Sequence, residues 1–534
     1  MKRWNGWGYE RVTPELPRAG KAFLIEALGS AQTGTSVPFE DVLLRVPDSR
    51  LPANDKVILS ADHRARHARG QSLPDWVALR YGTCDTFPDG VSYPTTEEQM
   101  VEILQYAKSC EARVIPYGGG TSVVGHITPL PGERPVLTVD LSRLNEMVSL
   151  DESSLLATFQ SGIMGPHIEA QLQARGFTLG HFPQSFEFSS LGGWIATRSS
   201  GQQSLHYGRI ETLFAGGTML TPAGKFEMLP FPASAAGPDL RELVLGSEGR
   251  LGILTRAIVR VKRSPDKEVF DALFFPNWWQ GMAAVQEIVQ SGIQLSMLRL
   301  LDDTETRGSF LLSGQERTVG ALERLLSIRG LGDEKCMLLF AATGTGSQVR
   351  RNRQEALRVA RNHGSVYQFG GKLGAEWRKK RFHTPYLRNT LWEYGYAVDT
   401  LETVFPWSSI RDASGQVIRA LECALDSSEE KVLTMAHLSH VYPTGASLYV
   451  TYLFRLGETP EETLAHWKRL KGEASETILR LGGTISHQHG IGLDHLPYAT
   501  RERAELGNKL LQNALASWDP EGRMNPGKLV GEPL

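Results

Sequence analysis

Apolar residues along this chain fall into two alternating regimes. From Pro94, Met100, Ile103, Leu104 and Ala107 recur at helical spacing behind a Thr95/Glu98 capping pair. Short β-prone runs follow, at Arg113 to Ile115, Val136 to Asp140 and Leu155 to Phe159. Pro166 opens a helix that carries Ile168 and Leu172 on one face and stops at Gly176. From there to about residue 263, strands and Gly/Ser-rich turns predominate. Val259 and Val261 alternate with Arg260 and Lys262 in a half-buried strand that closes the region.

Beyond 266, strands alternate with longer amphipathic helices up to about 450. The helix opened by Pro460 runs to about Leu481 and ends at Gly482-Gly483. The pattern predicts an α+β protein in four parts: an N-terminal helical arm (1–90), a cofactor domain (91–265), a substrate-covering α/β domain (266–500) and a C-terminal segment (501–534) that returns to the cofactor domain. Arg350, Arg351, Arg353, Arg358 and Arg361 share one helical stretch, which reads as a solvated face.

Composition narrows the function classes. A chain of 534 residues exceeds one compact core, and 41% hydrophobic with 22% charged residues describes a globular protein. A net charge of −2 and a pI near 6.7 argue against a nucleic-acid partner. Four scattered cysteines without a CxxC pair exclude a zinc ribbon and fit a reducing compartment. With no apolar run near the ~20 residues of a membrane span, no secretory leader and no peroxisomal address in Glu532-Pro533-Leu534, a cytoplasmic location is expected. The Trp4/Trp7/Tyr9 cluster is expected to pack on the protein itself, peripheral membrane contact being the alternative. A homodimer is expected.

The densest chemistry lies in glycine clusters. Pro116-Tyr117-Gly118-Gly119-Gly120-Thr121-Ser122 lacks the Lys-Ser/Thr of a P-loop and the Rossmann spacing, yet its bare main-chain amides suit a pyrophosphate. Ser189, Ser190, Gly192, Gly193, Thr197, Ser200 and Gly201 interleave hydroxyls with glycines around Leu191, Trp194 and Ile195, which demand burial. Gly246 to Ile253, with Glu248, Gly249 and Gly252, has the same character. After the last long helix come His487, Gln488 and His489. Two histidines at i and i+2 on an extended segment are expected to face one side, with glycines letting a ligand approach. Metal binding there, with His437 and His440 as further ligands, is the alternative reading.

Three such glycine loops, with the terminal Asp519-Pro520 and Asn525-Pro526-Gly527-Lys528-Leu529, resemble the vanillyl-alcohol-oxidase-like (PCMH-type) family of FAD enzymes. The resemblance implies a two-subdomain FAD-binding fold with a cap. It assigns 116–122 to the FAD pyrophosphate, 189–201 to the isoalloxazine and 246–252 to the adenosine end. FAD is expected to be noncovalent, with His126 the one nearby residue that leaves attachment open.

Within the family, Trp4-Asn5-Gly6-Trp7-Gly8, Phe186 to Trp194, Leu298-Arg299-Leu300, Tyr386-Leu387-Arg388 and Gly445 to Tyr449 are similar to the alkyl-dihydroxyacetonephosphate synthase branch. That likeness implies a lipid-like substrate and a net non-redox exchange of an acyl group for a fatty alcohol. Tyr449 is the implied acid/base, tuned by His487 and His489. Arg388 would ease phenolate formation or anchor a carboxylate, and Arg299 is a second anion anchor. Gln488 replaces the middle of three histidines in that branch and is assigned to substrate binding. In 2-hydroxyacid dehydrogenases of the superfamily, a glutamate and a histidine pair hold a metal where this chain has Gln488 and Tyr449, so no metal is expected. The alternative function is FAD-dependent oxidation of a 2-hydroxy acid such as D-lactate, glycolate or 2-hydroxyglutarate. A non-catalytic flavoprotein is the remaining one.

Overall fold

The computed structural model describes residues 1–531 apart from 313, 315, 368, 369 and 429, and apart from the side chains of 316–318. The Glu532-Pro533-Leu534 terminus lies outside the described residues. Two β-systems form the first half. Gly90–Ser92, Val136–Asp140 and Arg113–Tyr117 make a three-stranded parallel sheet. Helix Glu97–Ser109 seals it by burying Met100, Ile103 and Ala107 against Val114, Leu137 and Val139. Its N-cap is Thr96, which accepts from Gln99 N, while Gln99 Oε1 takes the Thr95 N–H. The expected Thr95/Glu98 pair is therefore shifted by one residue, because adjacent threonines offer two competing caps.

The second system is a five-stranded antiparallel sheet in the order Met147–Asp151, Leu156–Gln160, Ile253–Arg260, Phe214–Thr221, Gly224–Met228. Leu191–Thr197, expected as turn, is a helix capped by Ser190, whose hydroxyl accepts from Gly193 N. Leu191, Trp194 and Ile195 enter the core beneath the sheet, so burial overrides two glycines of low helix propensity.

The second half is built on a six-stranded antiparallel sheet ordered Lys267–Phe275, Cys336–Gly344, Met297–Leu301, Leu433–Tyr442, Gly445–Arg455, Tyr396–Pro406. Its core face carries Leu298, Leu300, Leu338, Leu438, Leu448 and Val450. On the helix Gly346–Asn362, Arg350, Arg351, Arg358 and Arg361 are exposed, whereas Arg353 turns in to Asp271 and Tyr367.

The N-terminal residues pack on both halves rather than standing apart, Leu51 and Val57 joining the core of the parallel sheet. Trp7, Leu73 and Trp76 join its core, and Phe23, Leu24 and Leu28 pack on Leu391, Tyr396, Leu433 and Leu453. Trp7 and Tyr9 both meet Phe188 edge-on, Trp7 buried and Tyr9 41% exposed. The C-terminal stretch extends the parallel sheet through Val114 N to Arg523 O and Asn525 N to Val114 O, both 2.8 Å.

Candidate active site

One cavity of about 500 Å³ joins the two halves. On the first-half side it is walled by Pro116, Gly118, Gly119, Gly120, Thr121, Ser122, Ser189, Gly192, Gly193, Thr197, Ser200, Glu248, Gly249 and Gly252. A Cβ on Gly119 would overlap the Phe188 carbonyl, and Gly120 sits at φ +69°. The glycines are thus required for the turn to lie against 188–190 with its amides bare. Two proposed cofactor residues fall elsewhere. Ile253 is core beneath the parallel sheet, and Gly201 is buried with a Cβ position 2.7 Å from Phe182 N.

Glu248 lines the cavity, but its carboxylate is consumed. It accepts from Ile491 N (2.5 Å) and Gly492 N (2.9 Å) and lies 3.2 Å from His126 Nε2. Burial alone would raise this carboxyl, yet His126 and the two amides hold it below its usual range. Its side chain thus ties the histidine segment to the stretch that follows the 116–122 turn. His126 spends its other nitrogen on Ser122 Oγ at 2.8 Å. Lys2, missed in the sequence, donates to Gly119 O at 2.6 Å from the first residues of the chain.

The second-half wall is built on one cross-strand row, of which Tyr449 and His437 line the cavity and Glu402 lies behind them. Glu402, Tyr449 and His437 are register partners on three neighbouring strands, so strand alternation sends all three to the face opposite Leu401, Leu448 and Leu438. Tyr449 stacks on His437 (4.7 Å, 15°) and meets His489 edge-on (5.9 Å, 82°). Burial pushes the Tyr449 phenol up to about 12, outweighing the Thr400 hydrogen bond and the nearby cation Arg299. It therefore stands as a neutral O–H rather than as the eased phenolate expected beside Arg388. Burial likewise lowers His489 to about 4, and it is neutral near pH 7.

The two arginines differ. Arg299 Nη2 bonds Glu305 Oε1 at 2.9 Å, and Glu305 also takes His437 Nδ1 at 2.7 Å. Burial would raise Glu305, but His437 and Arg299 bring it down to about 2. Arg299 is already countered by Glu305, although its Nε, like that of Arg388, has no protein partner. Arg388 donates Nη1 to Gln71 O at 2.6 Å and lies 4.2 Å above the Trp76 ring. Its Nε and Nη2 have no protein partner, and among the described residues no carboxylate pairs with it.

The histidine segment departs from expectation. His489 and Gln488 line the main cavity, but His487 points behind them. Its Nε2 meets Tyr442 OH (2.7 Å) and Arg209 Nη1 (2.9 Å), and Nδ1 lies 3.2 Å from Glu402 Oε1. The chain bends at 487–489 instead of running extended, which breaks the two-residue alternation. Gln488 is not free for substrate: Nε2 donates to Glu402 Oε2 (2.5 Å), and Oε1 accepts from Ser200 N (3.2 Å). Burial would raise Glu402, but His487 foremost, then His440 and His489, hold it well below its usual range. Its legible sign was a glutamate inside an otherwise β-prone, largely apolar run, Tyr396 to Phe405.

Glu402, His440 and His487 place ligand-type atoms within 4.8 Å of one another. Arg209 donates to His487 Nε2, however, so the ring's proton sits on Nδ1 and faces the carboxylate. That orientation withholds the lone pair a cation needs.

A bare glycine cradle facing a tyrosine, a neutral histidine and an unpaired arginine defines an FAD-dependent enzyme of the two-domain, cap-bearing type. Family models agree: residues 88–229 match the FAD binding domain and 264–529 the C-terminal domain of FAD linked oxidases. The chain is 31% identical to alkyldihydroxyacetonephosphate synthase of Trypanosoma brucei brucei, over 93% of this chain and 81% of that one. It is also 31% identical to the Dictyostelium discoideum synthase, over 88% and 77%. A solved alkyldihydroxyacetonephosphate synthase superposes at TM-score 0.85, 27% identity and 99% coverage of both chains. The chain belongs to the FAD-linked oxidase family, in its alkyldihydroxyacetonephosphate synthase branch.

Proposed function

We propose that this protein is an FAD-dependent alkylglycerone-phosphate synthase, exchanging the acyl group of acyl-dihydroxyacetone phosphate for a long-chain alcohol. The observation that carries the reading is the continuity of the main cavity. From the glycine cradle it passes Tyr449, His489 and Arg388, then continues between Phe23 and Leu24 of helix Arg18–Leu28 and Leu312, Leu391, Leu433 and Leu453. An apolar arm joined to a buried cation suits a molecule with an anionic head and a long chain. A small 2-hydroxy acid would leave that arm empty.

The cradle fits FAD, because Gly118, Gly119 and Gly120 present main-chain amides where any side chain would collide. FAD supplies the ring system at which the substrate's reacting carbon is activated. His126 has Ser122 on one nitrogen and Glu248 on the other, which supports noncovalent binding. Arg388 offers two free N–H groups to an anion, the phosphate head or the departing carboxylate. Tyr449 holds a proton on its phenol oxygen within reach of the cavity, and neutral His489 flanks it as a proton acceptor. The apolar arm keeps water from the reacting carbon. The test is incubation with palmitoyl-dihydroxyacetone phosphate and hexadecanol, followed by mass spectrometry. The ether product is expected; its absence, with rapid flavin bleaching by a 2-hydroxy acid, would overturn the reading.

A further inference from the structure

Two walls of the apolar arm continue into polar ones. Helix Asp303–Leu312 turns Glu305, Gly308, Ser309 and Leu312 to the main cavity, one face at helical spacing. Strand Leu433–Tyr442 sends Leu433, Met435 and His437 to it, one face at strand spacing. Each element carries apolar residues along the arm and a titratable group where the arm meets the reaction chamber.

The two titratable groups touch. His437 Nδ1 lies 2.7 Å from Glu305 Oε2, while Glu305 Oε1 takes Arg299 Nη2 at 2.9 Å. His437 and Arg299 keep this carboxylate ionised at neutral pH, and an ionised carboxylate can only accept. A contact of 2.7 Å with it therefore requires the proton on Nδ1. Arg299 Nη2 comes only to 3.3 Å of Nδ1 and has Glu305 as its nearer partner. Nε2 holds the lone pair, and among the described residues no donor meets it. The ring is also held in place. Tyr449 stacks on it at 4.7 Å and 15°. Asp302 takes the Glu305 N–H on one oxygen (2.6 Å) and the Ala436 N–H on the other (2.7 Å), which ties the start of the helix to the strand beside His437.

We propose that His437 is the general base for the incoming alcohol, with Glu305 as its positioning residue. The inference rests on the exchange reaction proposed above. In that reaction the carbon–oxygen bond to the acyl group breaks, and its electron pair leaves on the carboxylate. A carbon–oxygen bond to the alcohol forms, and the alcohol's O–H proton passes to His437 Nε2. No electrons are gained or lost. Glu305 counters the imidazolium that results, and the proton goes to water once the product has left the arm.

Position and protonation both suit this task. An alcohol whose chain lies along Leu433 and Met435 brings its hydroxyl to the end of the row where His437 stands. Burial foremost, then Arg299, lowers His437, so the ring rests neutral and able to accept. A carboxylate on Nδ1 raises the basicity of Nε2 and fixes its direction, the arrangement by which a base is oriented by a third group. His489 has no such carboxylate hydrogen bond among the described residues.

The test gives the holoenzyme two alcohols: hexadecanol, and its analogue fluorinated on the carbon next to the CH2OH group, which ionises more readily. His437→Gln should lose roughly 100-fold or more in kcat with hexadecanol, as for removal of a general base. FAD content, Tm and KM for the acyl substrate should stay at wild-type values. With the fluorinated alcohol the loss should shrink by roughly tenfold or more, because that alcohol needs less help to give up its proton. A merely structural role would slow both alcohols alike. Glu305→Gln keeps an acceptor for Nδ1 without the charge; it should show a smaller loss with the same dependence on the alcohol, and it decides alone if the first variant does not fold. Full activity in His437→Gln, or equal losses with the two alcohols, would overturn the dyad. Failure of the wild type to make the ether would instead overturn the functional reading beneath it.

Discussion

Replacing Arg388 by methionine should separate function from stability. The guanidinium is buried beside the cavity, with Nη1 on Gln71 O and its Nε and Nη2 unbonded. Burial lowers it to about 10, still charged at neutral pH. In the ligand-free protein, methionine forfeits one hydrogen bond of ~1 kcal/mol and a cation–π contact of ~1 kcal/mol with Trp76. It removes two unsatisfied N–H groups, each costing about 1–3 kcal/mol. The balance runs from about neutral to about 4 kcal/mol of stabilisation. Toward substrate the account reverses: two charge-assisted hydrogen bonds at about 1.5–3 kcal/mol each are lost. A total of about 3–6 kcal/mol is a fall of roughly 10²–10⁴-fold in kcat/KM. Denaturant unfolding and steady-state ether formation measure the two sides on one preparation. An Arg388→Met variant that unfolds markedly earlier, or that loses less than about tenfold in kcat/KM, refutes the assignment of Arg388 as the anion anchor.

Three further outcomes are expected. Tyr449→Phe should abolish turnover and leave the flavin spectrum intact, because the phenol's only loss is its proton-bearing oxygen; an active variant removes Tyr449 from the chemistry. Acid precipitation should release yellow flavin into the supernatant, and colour kept in the pellet would point to a covalent link. Stability should fall as pH drops from about 6.5 toward 4. Burial depresses His489 to about 4 and His181 to about 3, so the unfolded chain binds more protons across that window, each group contributing up to ~1.4 kcal/mol per pH unit. Denaturation midpoints that stay flat between pH 7 and 5 would contradict buried neutral imidazoles.

Local chemistry made much of this protein legible. Glycines that strip a turn of side chains, hydroxyls interleaved with glycine and a charge-poor, β-prone run around Tyr449 are written in consecutive residues. Their physical meaning survives folding, as the cradle at 116–122 illustrates. What the sequence could not express was the partner each polar group would find across the fold. Arg299 and Arg388 look alike in the chain, yet the helix Asp303–Leu312 and the neighbouring strand bring Glu305 and His437 onto the first, whereas the second, among the described residues, meets only Gln71 O and the Trp76 ring. His487 and His489 look equivalent by spacing, yet the bends at 487–489 send them to different chambers. Glu402 gains its role only because three strands align it with Tyr449 and His437. The sequence by itself determined which chemical groups exist and which backbone shapes are open to them. Tertiary structure alone decided which charges are neutralised, because that depends on distances across the fold, as between Glu248 and His126.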